Sequence, residues 1–312
     1  MKKYIGIDLG GTFIKGGICD QNGEIIVNDS VPTQVECGND KVVENICNLA
    51  ISLCKQANIS LADCQGVGIG VPGMIDSVKG EVVFAGNLNF KNFKLKQKVQ
   101  ERLNLNVEIA NDANVAALGE SKFGAGAGYD SSVLVTLGTG VGGGIIIDGK
   151  IFAGNCGAGA EIGHMIICVD GIPCSCGLNG CYERYASATG LINITKEYML
   201  KDKNSKLWEI GLENINGKSA FDLEQEDETA KKVVEAYINY VAVGLVNIAN
   251  IFRPQAILIG GGISNSGDQL LIPLNKKLQE MIFAGNSGPK VELKIASLKN
   301  AAGIKGACAL IM

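Results

Sequence analysis

Apolar positions follow a strand period in some segments of the chain and a helical period in others. Three short apolar segments near the N-terminus, the second and third joined by the turn Asn22-Gly23, predict a strand meander. The segment that follows, 40–58, has apolar residues at helical spacing and is predicted to be an amphipathic helix. The predicted strands are Tyr4–Asp8, Ile14–Cys19, Glu24–Val31, Gly66–Val71, Val107–Ala110, Ser132–Leu137, Gly143–Ile147, Lys150–Phe152 and Ala256–Gly260. The predicted helices are Asp40–Asn58, Leu95–Leu103, Ala113–Phe123, Ala188–Leu200, Glu226–Phe252, Asp268–Phe283 and Ala301–Leu310.

The strand pattern restarts in the middle of the chain. The segment Ile5-Gly6-Ile7-Asp8-Leu9-Gly10-Gly11-Thr12 is followed by a strand and by the turn Asn22-Gly23. The segment Val133-Leu134-Val135-Thr136-Leu137-Gly138-Thr139-Gly140 is likewise followed by a strand and by the turn Asp148-Gly149. A repeat distance of about 130 residues is too long for a solenoid and indicates an internal duplication. We therefore expect two similar lobes with a cleft between them.

The composition narrows the class of protein. A chain of 312 residues with 46% hydrophobic and 19% charged residues has ample core material for two domains of roughly 150 residues each. A net charge of −4 does not favour a surface that binds nucleic acid. The apolar runs are far shorter than the ~20 residues of a membrane span, and the N-terminus lacks a signal-peptide pattern. We expect a cytoplasmic protein that binds neither nucleic acid nor a membrane.

The first of three glycine-rich blocks is Asp8-Leu9-Gly10-Gly11-Thr12, which follows a predicted strand. The free N–H groups of such a tight turn can bind phosphate oxygens. Asp8, at the end of the strand, could hold Mg²⁺ through water. A β-hairpin with a capping aspartate is the alternative interpretation.

The second block, 137–144, contains Gly138, Thr139 and Gly140 and matches the pattern G-x-G-x-x-G. A dinucleotide-binding fold requires a helix after this motif, whereas a strand is predicted here, so we reject that fold. A strand, a glycine-rich turn and a second strand form a different kind of phosphate loop. The third block, Gly260-Gly261-Gly262, follows a buried strand and would allow a flat ring such as adenine to lie against the backbone.

A cluster of thiols and one histidine predicts a metal site. Cys174, Cys176 and Cys181 lie within eight residues, and His164, the single histidine of the chain, precedes them. Without an export signal, clustered cysteines are metal ligands more often than disulfides. Three thiolates and one imidazole complete a tetrahedral zinc site and leave no open position, so the zinc would be structural. A loop of free thiols is the alternative, and Cys156 and Cys168 are nearby substitutes.

The three glycine blocks, in this order and with the duplication, resemble those of the actin-like ATPase superfamily. There they form a first phosphate loop, a second phosphate loop and an adenosine loop. The stretch from His164 to Glu183 is similar to the signature of the ROK family (repressors, open reading frames, kinases), and the similarity extends over essentially the whole chain. The resemblance implies an α/β, two-lobed actin-like ATPase (ribonuclease-H-like) fold with duplicated βββαβαβα lobes. It also implies a small lobe of 1–118 plus about 297–312, and a large lobe of 119–296 with the zinc segment.

The resemblance further implies the residues of a sugar kinase site. A sugar hydroxyl is a poor nucleophile, so a carboxylate must accept its proton as the phosphoryl group arrives. Asp112 matches the catalytic base of ROK kinases, although a helix N-cap is its alternative role. The residues expected to contact the sugar are Gly73, Asn87, Asn111, Glu161, His164 and Glu183. For Glu161 and Glu183 the alternative is solvated surface charge. The residues expected to bind ATP and Mg²⁺ are Asp8, Gly10, Gly11, Thr12, Gly138, Thr139, Gly140, Gly261 and Gly262.

The activity implied by these residues is ATP-dependent phosphorylation of a hexose, with glucose the expected acceptor at its 6-hydroxyl. An N-acetylmannosamine or allose kinase of the same family is the nearest alternative. A sugar-sensing regulator without catalysis is a second one. ROK repressors carry an added N-terminal DNA-binding domain, and Asp8 stands near the start of this sequence, so we expect an enzyme. Similar proteins form dimers or tetramers, and we expect a homodimer or homotetramer.

Overall fold

The computed structural model describes residues 2–312, and its secondary structure is mixed α/β. The strands are β1 (Lys3–Leu9), β2 (Phe13–Asp20), β3 (Ile25–Pro32), β4 (Cys64–Val71), β5 (Met74–Asp76), β6 (Glu81–Ala85), β7 (Phe90–Phe93), β8 (Val107–Asn111), β9 (Ser132–Leu137), β10 (Val141–Ile147), β11 (Lys150–Ile151), β12 (Ala256–Gly260) and β13 (Glu292–Ile295). The helices are α1 (Asn39–Gln56), α2 (Leu95–Leu103), α3 (Asp112–Phe123), α4 (Glu183–Ala186), α5 (Ala188–Lys201), α6 (Leu207–Ile210), α7 (Ser219–Leu223), α8 (Glu228–Phe252), α9 (Asp268–Met281) and α10 (Ala302–Ala309). Every strand and helix predicted from the sequence is present, with small shifts at the ends.

Two five-stranded sheets repeat one topology. Their strand orders are β3-β2-β1-β4-β8 and β11-β10-β9-β12-β13, so each sheet reads 3-2-1-4-5 when its own strands are numbered along the chain. In the first sheet β1 is antiparallel to β2, and β4 is parallel to β1 and β8. In the second sheet β12 is parallel to β9 and β13. The predicted duplication is confirmed.

A smaller antiparallel sheet, β5-β6-β7, follows β4 and was not predicted from the sequence. Its strands are three to five residues long and only partly buried, so they lack a clear apolar alternation. β13 was missed as well, because it has four residues and one of them is fully buried. Short strands of this kind are recognised through their pairing partners and not through their own sequence.

Glycines allow α10 to pack closely on the first sheet. A methyl group on Gly68 of β4 would overlap the carbonyl oxygen of Ala307, and one on Gly6 of β1 would overlap the carbonyl oxygen of Ile304. On α3, a methyl group on Gly119 would lie 2.6 Å from the carbonyl oxygen of Ala302. The helix therefore rests on β1, β4 and α3 at backbone contact distance.

The chain divides into two compact units, and neither unit is one continuous stretch of sequence. The first unit consists of Met1–Ser131, Gly144–Ala160 and Ser297–Met312, and the second of Ser132–Gly143 and Glu161–Ala296. The predicted lobe boundary at residues 118 and 119 stays a prediction.

The long helix α8 lies in the second unit. By length and composition it is the one helix within residues 2–312 that could cross a membrane, but 56% of its most apolar window is buried inside the protein. Core helices of this length give the same signal.

Candidate active site

Three parallel strands of the first sheet end at one edge. In β1, β4 and β8, Asp8 lies opposite Gly70, and Val71 lies opposite Asn111. Loops at the carboxyl ends of parallel strands are where α/β proteins bind their ligands. The structure therefore brings the predicted residues Asp8, Gly73 and Asn111 to the same edge.

Asp112 is the first residue of α3 and directly follows β8. Its Oδ1 accepts a hydrogen bond of 2.8 Å from the backbone N–H of Ala113. Burial raises the pKa of Asp112 above its ordinary value of 3.8, and the hydrogen bond from Ala113 partly opposes this. Burial also raises the pKa of Asp8, which Lys15 lowers and Asp112 raises further. The two carboxyl groups are close enough to act on each other electrostatically.

The N-cap of α3 is Asn111. Its Oδ1 accepts hydrogen bonds of 3.0 Å from the N–H of Ala113 and 3.1 Å from the N–H of Asn114. Its Nδ2 donates a 3.0 Å hydrogen bond to the carbonyl oxygen of Gly73. Asn111 thus fills the capping role that was the alternative for Asp112, and it joins the loop after β4 to α3. These contacts use one of the two N–H groups of the Asn111 amide.

The first glycine turn is fixed by backbone bonds and by one buried threonine. The N–H of Gly10 donates to the carbonyl oxygen of Phe13 at 3.0 Å and closes the turn between β1 and β2. The hydroxyl of Thr33 donates to the carbonyl oxygen of Gly10 at 2.7 Å, and its N–H donates to that of Thr12 at 2.9 Å. Sequence reasoning missed Thr33, because a single threonine after a strand carries no distinguishing signal.

Asn87 lies beside this turn. It is exposed, in a short 3₁₀ segment, and a methyl group on Gly11 would lie 3.6 Å from its Nδ2. The nearby Gly73 has a φ of 101°, and a methyl group there would overlap the carbonyl oxygen of Phe84, so this position requires glycine. In the first unit, the turn and its neighbours therefore surround the same edge of the sheet as Asp8 and Asp112.

The second glycine turn is held by Glu183 and by the start of α5. Oε2 of Glu183 accepts a 3.0 Å hydrogen bond from the N–H of Val141, and a methyl group on Gly140 would overlap this oxygen. The carbonyl oxygen of Gly138 accepts a 2.7 Å hydrogen bond from the N–H of Ala188. The hydroxyl of Thr189 donates to the carbonyl oxygen of Thr139 at 2.8 Å. Sequence reasoning assigned no role to Ala188, which acts through its backbone N–H, or to Thr189, which acts through its hydroxyl.

The third glycine block lies next to the second. β9 and β12 are parallel neighbours, with Thr136 opposite Gly260, so the turns that follow them meet at one edge of the second sheet. Gly261 has a φ of 82°, and a methyl group there would overlap the carbonyl oxygen of Leu137. A methyl group on Gly262 would meet no atom of the described chain within 4 Å, so its surface is open to a ligand.

The predicted zinc ligands converge in the second unit. One donor atom from each of His164, Cys174, Cys176 and Cys181 lies within 4.8 Å of every other. The sulfurs of Cys176 and Cys181 are 3.5 Å apart, and Nδ1 of His164 is 3.8 Å from the sulfur of Cys174. Zinc–sulfur bonds of about 2.3 Å at tetrahedral angles separate two sulfurs by about 3.8 Å. The donor set and its spacing therefore fit Zn²⁺.

A backbone hydrogen bond within the segment 174–181 favours metal binding by one of its cysteines. The N–H of Cys176 is the main cause that lowers the pKa of Cys174 to about 7, which favours the thiolate that binds metal. Burial raises the pKa of Cys181 to about 12. The alternative ligands, Cys156 and Cys168, are not in the four-residue group.

Glu161 precedes the 3₁₀ turn Ile162–His164, which lies next to the second glycine loop. The N–H of His164 donates to the carbonyl oxygen of Glu161 at 3.0 Å, and Glu161 is exposed. A methyl group on Gly163 would overlap the carbonyl oxygen of Val141, the residue whose N–H binds Glu183. The metal segment, the second glycine loop and Glu183 are thus one packed structure.

Known proteins resemble this chain over its whole length. The family model described as "ROK family" matches residues 4–312. The chain belongs to the ROK family. This ROK protein is 38% identical over 313 residues to a glucokinase of Halalkalibacterium halodurans, an alignment that covers 97% of this chain and 93% of the other. A crystal structure of a ROK family glucokinase from Streptomyces griseus in complex with glucose and AMPPNP superimposes with a TM-score of 0.78 at 35% identity, covering 99% of this chain and 98% of that one.

Repressors of the ROK family are also similar. A xylose repressor of Caldicellulosiruptor bescii is 31% identical over 312 residues, which cover 99% of this chain and 77% of the repressor. The predicted family and its actin-like α/β fold are confirmed.

Proposed function

We propose that this ROK protein is an ATP-dependent hexokinase that transfers the γ-phosphoryl group of ATP to the 6-hydroxyl of glucose. The observation that carries the proposal is the position of Asp112: a half-buried carboxylate at the carboxyl edge of the first sheet, relieved of capping by Asn111. The 38% identity to a glucokinase supports the choice of acceptor.

Asp112 would take the proton of the sugar hydroxyl as that oxygen attacks the γ-phosphorus. A base in this role contributes about 10²–10⁴-fold to the rate. The N–H groups of Gly10 and Gly138 close their own turns, so those of Gly11, Thr12, Thr139 and Gly140 would bind the phosphate oxygens. Gly261 and Gly262 would lie against the adenosine. Mg²⁺, held by Asp8 through water, would neutralise phosphate charge.

The zinc segment would orient the sugar. If Nδ1 of His164 binds the metal, its other ring nitrogen carries the proton and becomes a hydrogen-bond donor. Together with Glu161, Glu183, Asn87 and Asn111, this donor would contact the ring hydroxyls, while Gly73 contributes its backbone. A zinc ion held by these four ligands would be structural, because they leave it no open position. We place the enzyme in the cytoplasm, in sugar catabolism, as a homodimer or homotetramer.

Two alternatives remain as proposals. In the first alternative the same site phosphorylates N-acetylmannosamine or allose, which differ from glucose in the substituent or the configuration at a ring carbon. The similarity to a xylose repressor favours a sugar-sensing regulator as the second candidate. The regulator would keep the sugar site and lack turnover.

A coupled assay of ADP release over glucose, mannose, N-acetylmannosamine, allose and xylose tests the proposal. We expect the highest kcat/KM with glucose, and much lower values for its deoxy analogues, because a missing hydroxyl leaves polar groups of the site unpaired. A tenfold preference for N-acetylmannosamine or allose would reject glucose as the acceptor. Binding without turnover of any sugar would favour the regulator.

A further inference from the structure

A large aromatic side chain is exposed beside the loops of the predicted sugar site. Phe84, near the end of β6, is 59% exposed, although phenylalanine is mostly a core residue. Its cross-strand partner is Met74, the first residue of β5, which is 41% exposed. Paired residues on neighbouring antiparallel strands have their Cβ atoms about 4.5–5.5 Å apart, so the two side chains share one apolar surface.

The ring and the backbone of Phe84 both contact the sugar loops. A methyl group on Gly86 would lie 3.4 Å from Cζ and 3.7 Å from Cε1 of the ring, so the ring lies beside the residue that precedes Asn87. The carbonyl oxygen of Phe84 packs against Gly73, where a methyl group would overlap it. Asn111 in turn donates a 3.0 Å hydrogen bond to the carbonyl oxygen of Gly73. All of these residues belong to the first unit, which therefore fixes Phe84 beside Gly73 and Asn87.

The exposed surface of Phe84 has the size of a contact with a small ligand. A phenylalanine side chain covers about 150–250 Å² when it is fully buried, so 59% exposure leaves roughly 90–150 Å² to be covered. A stable protein interface needs about 800 Å² on each partner. Gly73 and Asn87 beside the ring are exposed as well, and Asn87 offers polar groups. A ligand with an apolar face and a polar rim fits this surface.

A pyranose in its chair form has this combination of surfaces. In glucose every ring hydroxyl is equatorial, so C–H bonds cover both faces and the hydroxyls form the rim. The face of an aromatic ring carries partial negative charge and attracts these C–H groups, and the contact removes apolar surface from water. An axial hydroxyl turned toward the ring would instead be buried without a hydrogen-bond partner, which weakens binding.

We propose that Phe84 is a platform on which one face of the sugar lies, and that it selects a hexose with equatorial hydroxyls. The polar side chains of the site contact the hydroxyls at the rim of the sugar, and Phe84 contacts its face. This inference rests on the proposed kinase function and deepens it, because it names a residue that determines the acceptor.

Three substitutions of Phe84 separate the aromatic ring from its bulk. Phe84→Ala removes the platform, Phe84→Leu keeps an apolar side chain without a ring, and Phe84→Trp keeps an aromatic face. The side chain is more than half exposed, so none of these changes opens a cavity in the core. Phe283→Ala is the matched control, because Phe283 is 80% exposed and lies in the second unit, after α9.

Three measurements are made on each variant. Calorimetry gives the Kd of glucose without ATP, and the coupled assay gives kcat and KM for glucose, mannose, galactose and allose. Mannose and galactose each have an axial hydroxyl on one face of the ring, and allose has one on the opposite face. Sedimentation velocity reports the oligomeric state.

We expect Phe84→Ala to raise the Kd and the KM of glucose by about tenfold, with kcat and the KM of ATP changed by less than about threefold. Phe84→Trp should keep most of the affinity for glucose, and Phe84→Leu should lie between the other two. In Phe84→Ala the preference for glucose over the sugars with an axial hydroxyl on one face, either mannose and galactose or allose, should fall by about tenfold. Phe283→Ala should change none of these values.

An unchanged Kd of glucose in Phe84→Ala, with an active wild type, would overturn the inference and leave the kinase function standing. Loss of an oligomer in that variant, again with an unchanged Kd, would overturn it and assign the ring to contacts between copies. An equal loss of kcat/KM for all four sugars would overturn the selection of equatorial hydroxyls.

A wild type that turns over no sugar would reject the kinase function. In that case the Kd of glucose for the wild type and Phe84→Ala still decides whether the ring contacts the sugar. If Phe84→Ala does not fold, the comparison of Phe84→Leu with Phe84→Trp carries the test, and equal Kd values for glucose in these two variants would overturn the inference.

Discussion

Replacing Asp112 with asparagine should abolish activity and stabilise the protein. The two side chains have the same shape, and the asparagine amide oxygen can still accept the 2.8 Å hydrogen bond from Ala113. It cannot accept a proton from the sugar hydroxyl. We therefore expect kcat to fall by about 10²–10⁴-fold, which corresponds to about 3–5 kcal/mol of transition-state stabilisation.

The gain in stability follows from the raised pKa of Asp112. A carboxyl group whose pKa is higher in the folded state binds its proton more tightly there than in the unfolded chain. Below pH 3.8, the ordinary pKa of an aspartate, the tighter binding of this proton contributes fully to the stability of the folded state. This contribution is lost as the pH rises through the higher pKa of Asp112 in the folded protein. At pH 7.5 the ionised, buried carboxylate thus destabilises the fold, and Asp112→Asn removes this effect. The pKa of Asp8 should fall as well, because Asp112 raises it.

The assay combines turnover with unfolding by urea at several pH values. The stability of Asp112→Asn should exceed that of the wild type at pH 7.5, and the difference should shrink toward pH 4 as the wild-type carboxyl group is protonated. Asp40→Asn is the control: this exposed aspartate has its pKa lowered by the hydrogen bond from Lys98, and its loss should not change kcat. A variant that keeps more than half of the wild-type kcat would refute the role of Asp112. A variant less stable than the wild type at pH 7.5 would refute the reasoning from burial.

Four further substitutions test the structure elsewhere. Protein purified without chelator should contain one zinc per chain by elemental analysis, and Cys176→Ala should lose the metal and weaken glucose binding together; a metal-free wild type would contradict the site. Gly140→Ala should raise the KM for glucose by about tenfold, because the new methyl group displaces the Glu183 carboxylate from Val141; an unchanged KM would remove Glu183 from the sugar site. Gly68→Ala should lower the free energy of unfolding by about 1–3 kcal/mol in urea titrations. Gly70→Ala, whose methyl group would meet only the Val115 side chain at 3.3 Å, should lower it less.

The sequence predicted those elements whose local residue pattern is distinctive. Strands β1 and β9, each followed by glycines, gave both the duplication and the phosphate turns, because a buried strand and a tight turn are local features. The metal group could be predicted because its ligands lie close together in the sequence. Asp112 was found through a resemblance, since a carboxylate at the start of a helix suits a cap equally well.

The sequence could not predict contacts that depend on the fold. Nothing near Thr33 indicates that its hydroxyl binds Gly10, 23 residues away. The bonds from Glu120 to Ser297 and Leu298 join residues more than 170 positions apart. The capping role of Asn111 became clear only from the direction of its amide, since Asn111 and Asp112 are both common caps.

The packing of α10 affects how the protein folds during its synthesis. Residues of β1 and β4 emerge early from the ribosome, but the surface formed around Gly6 and Gly68 stays uncovered until residues 302–309 have been made. The second unit ends at Ala296 and has all its residues before then. Domains that fold during translation usually do so from the N-terminus onward. Here the order is reversed: the unit whose synthesis begins first is the last to be completed, and its sheet stays open until the C-terminal helix is made.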